Sequence, residues 1–218
     1  MTIQQPKVIF IDAVGTLFGV RGSVGEVYSA IANQFGVKVS AKTLNTSFFK
    51  AFGTSPPLVF PGMNLEEIPD CEFEWWRVIA LRTFQDIGVL DQFANFNDFF
   101  DQLYAHFATA EPWFIYPDVL PALAAWRRIG IQLGVLSNFD SRLSVVLKAL
   151  KLEEFFTSVT ISTEIGFAKP DPQIFAAALQ KHNCEAQDAW HIGNSFQQDY
   201  QGAKAAGLRA ILLKRSHG

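Results

Sequence analysis

Four short polar stretches of this chain carry side chains that could do chemistry together. Asp12 ends the apolar run Val8-Ile9-Phe10-Ile11 and precedes a Gly15-Thr16 turn. Ser137-Asn138 follows the run 131–136, and Lys169 lies in Gly166-Phe167-Ala168-Lys169-Pro170-Asp171-Pro172. Asn194 and Asp199 follow the run 189–193. A carboxylate such as Asp12 can attack an electrophilic phosphorus or carbon and form a covalent intermediate. Ser137 and Lys169 can hold negatively charged oxygens, the lysine as a point charge. Asp12, Asn194 and Asp199 can supply oxygens to Mg²⁺, which binds few carboxylates and keeps several waters. Such an ion would reduce the repulsion between an anionic nucleophile and an anionic substrate. Taken singly, each residue has a plainer explanation: a turn aspartate, a turn serine, a solvated lysine, a helix-capping asparagine. Order and spacing make the set specific. His191, two residues before Gly193 on an apolar run, reads as a packed structural histidine.

The elements that must position these residues follow from the hydrophobic pattern. Strands are expected at 7–11, 131–136, 158–162, 189–193 and 209–213, alternating with helices at 119–129, 140–150, 172–183 and 198–206. Asp171-Pro172 fits an N-cap followed by proline at the first helical position, and Gly207 fits a helix stop. This alternation predicts an α/β fold with a Rossmann-like, doubly wound parallel sheet. In such a sheet the loops after the strands open on one edge, where ligands bind. Residues 18 to about 112 differ. They offer no good strand, and helical periodicity is clear at 24–35, 43–52, 72–87 and 96–108. The predicted organisation is a core of 1–17 and 113–218 with an α-helical cap of 18–112 inserted after the Asp12 loop. The segment 53–71, rich in proline, is the longest loop of that insert. The dense Phe and Trp residues here, Phe48, Phe49, Phe52, Phe73, Trp75, Trp76, Phe84, Phe99, Phe100 and Phe107, read as helix–helix core.

Composition narrows the partners. Of the 218 residues, 49% are hydrophobic and 18% charged, which favours a folded chain with a substantial core. The net charge of −3 and the lack of a long basic run argue against nucleic acid or an anionic membrane surface as partner. No apolar run reaches membrane-spanning length, and the first seven residues are too polar for a signal peptide. Cys71 and Cys184 form no paired motif, so a reducing cytoplasm is the expected setting. A small anionic substrate is the expected partner.

The stretches Asp12-Ala13-Val14-Gly15-Thr16-Leu17, Leu136-Ser137-Asn138-Phe139-Asp140, Glu164 to Phe175, and His191-Ile192-Gly193-Asn194-Ser195 with Asp199 and Gly202-Ala203 resemble, in order, the four motifs of the haloacid dehalogenase-like (HAD) hydrolase superfamily. The match is to the branch with a helical cap inserted after the first motif, and it spans essentially the whole chain. The resemblance implies a Mg²⁺-dependent aspartyl-phosphate mechanism and substrate choice by a cap that closes over the site. Hinges for that motion are expected at Phe18-Gly19-Val20 and near 110–117. It implies Asp12, Ser137 and Lys169 as catalytic residues, and Thr16, Ser137, Asn138 and Lys169 as substrate-binding residues. The implied metal ligands are Asp12, Asn194, Asp199 and the main-chain carbonyl of Val14.

Two positions depart from the family pattern. Val14 stands where phosphatases of the family carry a second Asp that protonates the leaving group and then activates water. General acid–base catalysis typically contributes about 10²- to 10⁴-fold, so hydrolysis of alkyl phosphates should be slowed by roughly that factor. Asn194 stands where an Asp is usual, which removes a charge and should weaken Mg²⁺ binding. Haloacid dehalogenases have Tyr at the Val14 position and work without Mg²⁺. Their first motif is close to this one, and Arg21 could then anchor a halide or carboxylate, or be a solvated residue at the cap hinge. The leading expectation is a hydrolase of small phosphorylated molecules, slow or restricted to good leaving groups. The alternatives are a non-catalytic ligand- or protein-binding HAD-fold protein and a 2-haloacid dehalogenase.

Overall fold

The structure, a computed structural model, describes residues 5–215. Part of the expectation about the first seven residues therefore falls on 1–4, outside the described residues. The chain divides into two compact units. The first holds the described parts of Met1–Gly19 and Ile115–Gly218 together with Leu58–Ile68; the second holds Val20–Pro57 and Pro69–Phe114.

The first unit is built on a five-stranded sheet of β1 (Val8–Ile11), β4 (Gln132–Ser137), β5 (Ser158–Ile161), β6 (Ala189–Gly193) and β7 (Arg209–Leu212). Their order is β5-β4-β1-β6-β7 and every pairing is parallel. Strand β1 is central and apolar at all four positions, as a strand covered on both faces must be. Phe10 pairs with Gly134 on one side and His191 on the other. It shares a core with Leu136 and with Phe175 and Ala178 of α8 (Pro172–Lys181). Strand order reverses between β1 and β6, so the crevice expected of a doubly wound sheet opens where Asp12 and Asn194 leave their strands. Helix α8 starts as the sequence suggests: Asp171 accepts from the Gln173 N–H at 2.9 Å and Pro172 is the first helical residue.

All five core strands lie where the pattern puts them. Two differences have physical reasons. The expected helix 198–206 is a π-helical turn, Phe196–Gln201, followed by the short α9, Gly202–Ala205. The Ser195 carbonyl accepts from both Asp199 and Tyr200 N–H groups, which widens the turn. The expected loop 53–71 is shorter, since α2 (Ala41–Gly53) and α3 (Ile68–Ile87) encroach on it. Its residues 58–68 group with the sheet, not with the helices. The Ser162 hydroxyl at the start of α7 (Ser162–Ile165) donates to the Leu58 carbonyl at 2.8 Å, which ties the loop there.

The second unit is helical: α1 (Val24–Gln34), α2, α3 and α4 (Phe96–His106). Ser23, Ser40 and Asn95 cap the N-termini of α1, α2 and α4 through their side chains. The three-residue strands β2 (Phe18–Val20) and β3 (Trp113–Ile115) pair where the chain leaves and re-enters the first unit. At three residues, neither is long enough to show alternation. Arg21 is spent here: its guanidinium donates to the Trp113 carbonyl at 3.0 Å. Phe48, Phe84, Phe99 and Phe100 are buried in the helical core, with Phe73, Trp75, Trp76 and Phe107 packed against it. Phe49 and Phe52 are exposed, which corrects the core reading for those two. No helix of the described residues is long and apolar enough to cross a membrane.

Phe84 makes edge contacts with Phe93 and Phe99 at 5.0 and 5.1 Å between ring centroids. Phe84→Ala is expected to destabilise the helical unit by about 3–5 kcal/mol, read as a lowered urea midpoint.

Candidate active site

The residues expected to act together come together at one edge of the first unit's sheet. Asp12 sits just past β1, its N–H bound to the Ile192 carbonyl of β6. It is 8% exposed, buried enough that its carboxylate needs partners. Ser137 Oγ donates to Asp12 Oδ1 at 3.1 Å, and Lys169 Nζ donates to the same oxygen at 2.8 Å. Among the described residues, Oδ2 meets a longer contact, the Thr16 hydroxyl at 3.3 Å. That hydroxyl also lies 3.4 Å from Asn194 Oδ1.

Lys169 organises the cluster. Its ammonium is buried and donates to Asp12 Oδ1, to Asp199 Oδ1 at 2.6 Å and to the Leu136 carbonyl at 2.9 Å. An ammonium has three hydrogens, so all are used. Burial by itself would lower the lysine's pKa; the charges of Asp12 and Asp199 outweigh it and hold the group protonated above its ordinary value. Asp199 is heavily engaged as well. Its Oδ1 accepts from Lys169 and from His191 Nε2 at 2.9 Å, and its Oδ2 from the Ser195 N–H at 2.8 Å. Burial would raise its pKa, but the His191 hydrogen bond and the Lys169 charge hold it well below the usual carboxylate range. His191, fully buried, is pushed below the ordinary imidazole range by desolvation. It is therefore neutral, with the proton on Nε2 where it faces the carboxylate.

Local chain geometry makes this possible. Asn138 bonds both main-chain groups of Lys169, accepting from its N–H at 2.7 Å and donating to its carbonyl at 2.9 Å. At Gly193 a Cβ would stand 2.2 Å from Asp199 Cγ, so only glycine lets the π-turn bring the acid this close. Gly15 has φ +83° and a Cβ there would stand 2.3 Å from Asn194 Nδ2, which forces the turn residue.

The hydrogen bonds already made bear on three of the expected roles. The Asn138 side-chain amide braces the Lys169 main chain through its oxygen and one of its N–H groups. Lys169 has all three hydrogens engaged by two carboxylates and a carbonyl, so it holds Asp12 directly. Asp199 carries two donors on Oδ1 and one on Oδ2, so Oδ2 is its less engaged oxygen. Among the described residues, no group of three or more His, Cys, Asp or Glu side chains is arranged to hold a metal. The oxygens expected to hold an ion are those of the Asp12 carboxylate, the Val14 carbonyl, Asn194 Oδ1 and Asp199, the last through its less engaged Oδ2. Asp12 and Asn194 offer oxygens to the same Thr16 hydroxyl, so these two donors share one locale. Hard oxygen donors suit Mg²⁺, and one net negative charge makes the site weak without a substrate phosphate to complete it. His191 is packed and buried as read from the sequence, and what the sequence did not name is its partner, Asp199. The signal was a lone imidazole on an apolar strand, which must find a polar partner when buried.

A model of haloacid dehalogenase-like hydrolases matches residues 6–207. The chain is 35% identical over 212 residues to the mouse protein named haloacid dehalogenase-like hydrolase domain-containing protein 3, covering 97% of this chain and 83% of that one. Among solved structures it is similar to a HAD phosphatase from Thermococcus onnurineus, with TM-score 0.61, 22% identity and coverage of 97% and 89%. It is also similar to L-2-haloacid dehalogenase from Xanthobacter autotrophicus, with TM-score 0.66, 19% identity and coverage of 98% and 79%. At these identities the two structures speak for the fold.

Two outcomes follow from the buried network. Lys169→Met leaves two carboxylates without their cation and is expected to cost about 3–5 kcal/mol of stability, measured by denaturant unfolding. His191 titrates near 6.5 when unfolded and lower when folded. Its contribution is therefore full above that value and lost as pH falls towards the folded pKa. His182, also lowered by burial, acts in the same direction. The unfolding midpoint should fall between pH 7 and 5, and fall less in His191→Gln.

Proposed function

Because the chain belongs to the haloacid dehalogenase-like hydrolase family, we propose that it hydrolyses a small phosphorylated molecule through a covalent intermediate on Asp12, with a preference for good leaving groups. One observation carries this reading. Asp12 is held by two donors on Oδ1, while Oδ2 keeps lone pairs beyond its longer contact with Thr16. A buried, aimed carboxylate of this kind is a nucleophile in waiting. Attack forms a bond from an Asp12 oxygen to phosphorus. The bond from phosphorus to the leaving group breaks, and its electron pair departs on the leaving-group oxygen. Water then attacks the phosphorus of the aspartyl phosphate, the bond to Asp12 breaks with its electron pair returning to the carboxylate, and the water's proton leaves with the phosphate.

Val14 supplies no proton for the first step. An acyl or aryl phosphate departs as a stable anion and needs none, whereas an alkoxide does. Ser137 and Thr16 hold the two ends of the carboxylate through their hydroxyls. With Asp12 and Asp199 negative, Lys169 positive and His191 neutral, the cluster carries one net negative charge. It would repel a phosphate dianion. Mg²⁺, when bound by the Asp12 carboxylate, the Val14 carbonyl, Asn194 and Asp199, would supply compensating charge there. Cys71 and Cys184 are both free, which suits a reducing, cytoplasmic setting.

The test is a panel of phosphates with wild type, Asp12→Asn and Val14→Asp. Acetyl phosphate and p-nitrophenyl phosphate should turn over about 10²- to 10⁴-fold faster than an alkyl phosphate, with Mg²⁺ required. Asp12→Asn should abolish all turnover, and Val14→Asp should raise alkyl phosphate turnover far more than acyl phosphate turnover. Full activity in Asp12→Asn would overturn the proposal. Chloride release from 2-chloropropionate without Mg²⁺, and no phosphate release, would assign dehalogenation instead. Calorimetric phosphate binding without turnover would assign ligand binding without catalysis.

A further inference from the structure

Thr16 is held from two sides. Its hydroxyl lies in the site, 3.3 Å from Asp12 Oδ2 and 3.4 Å from Asn194 Oδ1. Its main-chain carbonyl accepts from Arg215 Nη2, nearly two hundred residues away in sequence. Arg215 follows β7, whose exit is fixed by the Leu213 N–H on the Gly193 carbonyl at 2.8 Å. The same guanidinium donates from Nη1 to the Asp118 carboxylate just before α5 (Val119–Arg128). Its plane lies over the Tyr116 ring, 4.0 Å from the centroid. Tyr116 in turn donates its N–H to the Leu17 carbonyl at 3.3 Å. The Arg215 side chain is only 18% exposed. A partly buried guanidinium bonded through both terminal nitrogens, to a carboxylate and a carbonyl, and laid over a ring is held more firmly than a solvated one.

We propose that Arg215 is a positioning residue for Asp12. It clamps the main chain of Thr16, and Thr16 sets the less constrained oxygen of Asp12. The turn it clamps is small: the Ala13 carbonyl accepts from the Thr16, Leu17 and Phe18 N–H groups, and the Gly15 N–H bonds the Phe18 carbonyl. Nothing in the covalent chain prevents this turn from shifting by a fraction of an ångström, and a misplacement of about 1 Å can cost about 10²-fold in rate. The catalytic half of this inference rests on Asp12 being the nucleophile. The structural half does not.

The experiment compares wild type with Arg215→Ala, Arg215→Lys and Asp118→Asn, by amide hydrogen exchange and by kcat and KM on acetyl phosphate. In Arg215→Ala, exchange at residues 15–18 should quicken about 10- to 100-fold, the range that loss of a charge-assisted hydrogen bond supports. Exchange in β4 and β5 should stay at the wild-type rate. The kcat should fall about 10-fold with KM within about twofold. Arg215→Lys, which keeps the charge but not the parallel donors, should recover only part of both effects. Unchanged exchange at 15–18, or equal quickening in β4 and β5, would overturn the proposal. So would faster exchange at 15–18 with wild-type kcat. Should Arg215→Ala fail to fold, Arg215→Lys and Asp118→Asn decide by the same comparison. Should wild type release no phosphate, the proposed function fails, and the exchange at 15–18 still decides the clamp.

Discussion

One buried ammonium holds this site together. Lys169 sits between Asp12 and Asp199 with its three hydrogens on two carboxylates and a carbonyl. Burial works against its charge, and the charges and hydrogen bonds of Asp12 and Asp199 outweigh that. A buried ion pair of this kind is weak evidence for added stability, because the desolvation cost can match the attraction. What it does supply is geometry. Loop after loop is shaped to bring the acids within hydrogen-bonding distance of that nitrogen. Asn138 braces the lysine's main chain, and Gly193 clears the approach of Asp199. The π-turn at 196–201 carries the second acid back over the strand end.

The same network limits what the site can do. Lys169 has no hydrogen to spare while the network is intact, and Asp199 keeps only part of Oδ2. On the proposed reading the chemistry therefore rests chiefly on Asp12, with Thr16, Ser137 and Asn194 beside it. Two substitutions away from the family pattern, Val14 and Asn194, remove a proton donor and a negative charge from the same small volume. A nucleophile remains, with little help for the leaving group. The proposed selectivity for good leaving groups rests on this pair of residues.

Much of this was legible in the residues. Val8–Ile11 is apolar throughout because it is the central strand, and the polar residues after β1, β4 and β6 meet because parallel strands end on one edge. Asp12, Ser137 and Lys169 were therefore readable as a group. The division of labour within the group was not. That Asn138 turns to the lysine's main chain, and that His191 donates to Asp199, depends on side-chain direction, which order and spacing do not carry. Strands of three residues, β2 and β3, fall below any periodicity. Phe49 and Phe52 look like core by composition, but stay exposed at its margin, in ring contact with Phe48. The attachment of 58–68 to the sheet unit hangs on a hydroxyl, Ser162, far along the chain.

The central claim is that Asp12, held by Lys169, takes the phosphoryl group. The direct measurement is acid-quench mass spectrometry of the protein during acetyl phosphate turnover. The account predicts one phosphoryl group on the peptide containing Asp12, labile to hydroxylamine and absent from Asp12→Asn. Turnover that proceeds with no label at any time, or with the label on Asp199 or another residue, would contradict it.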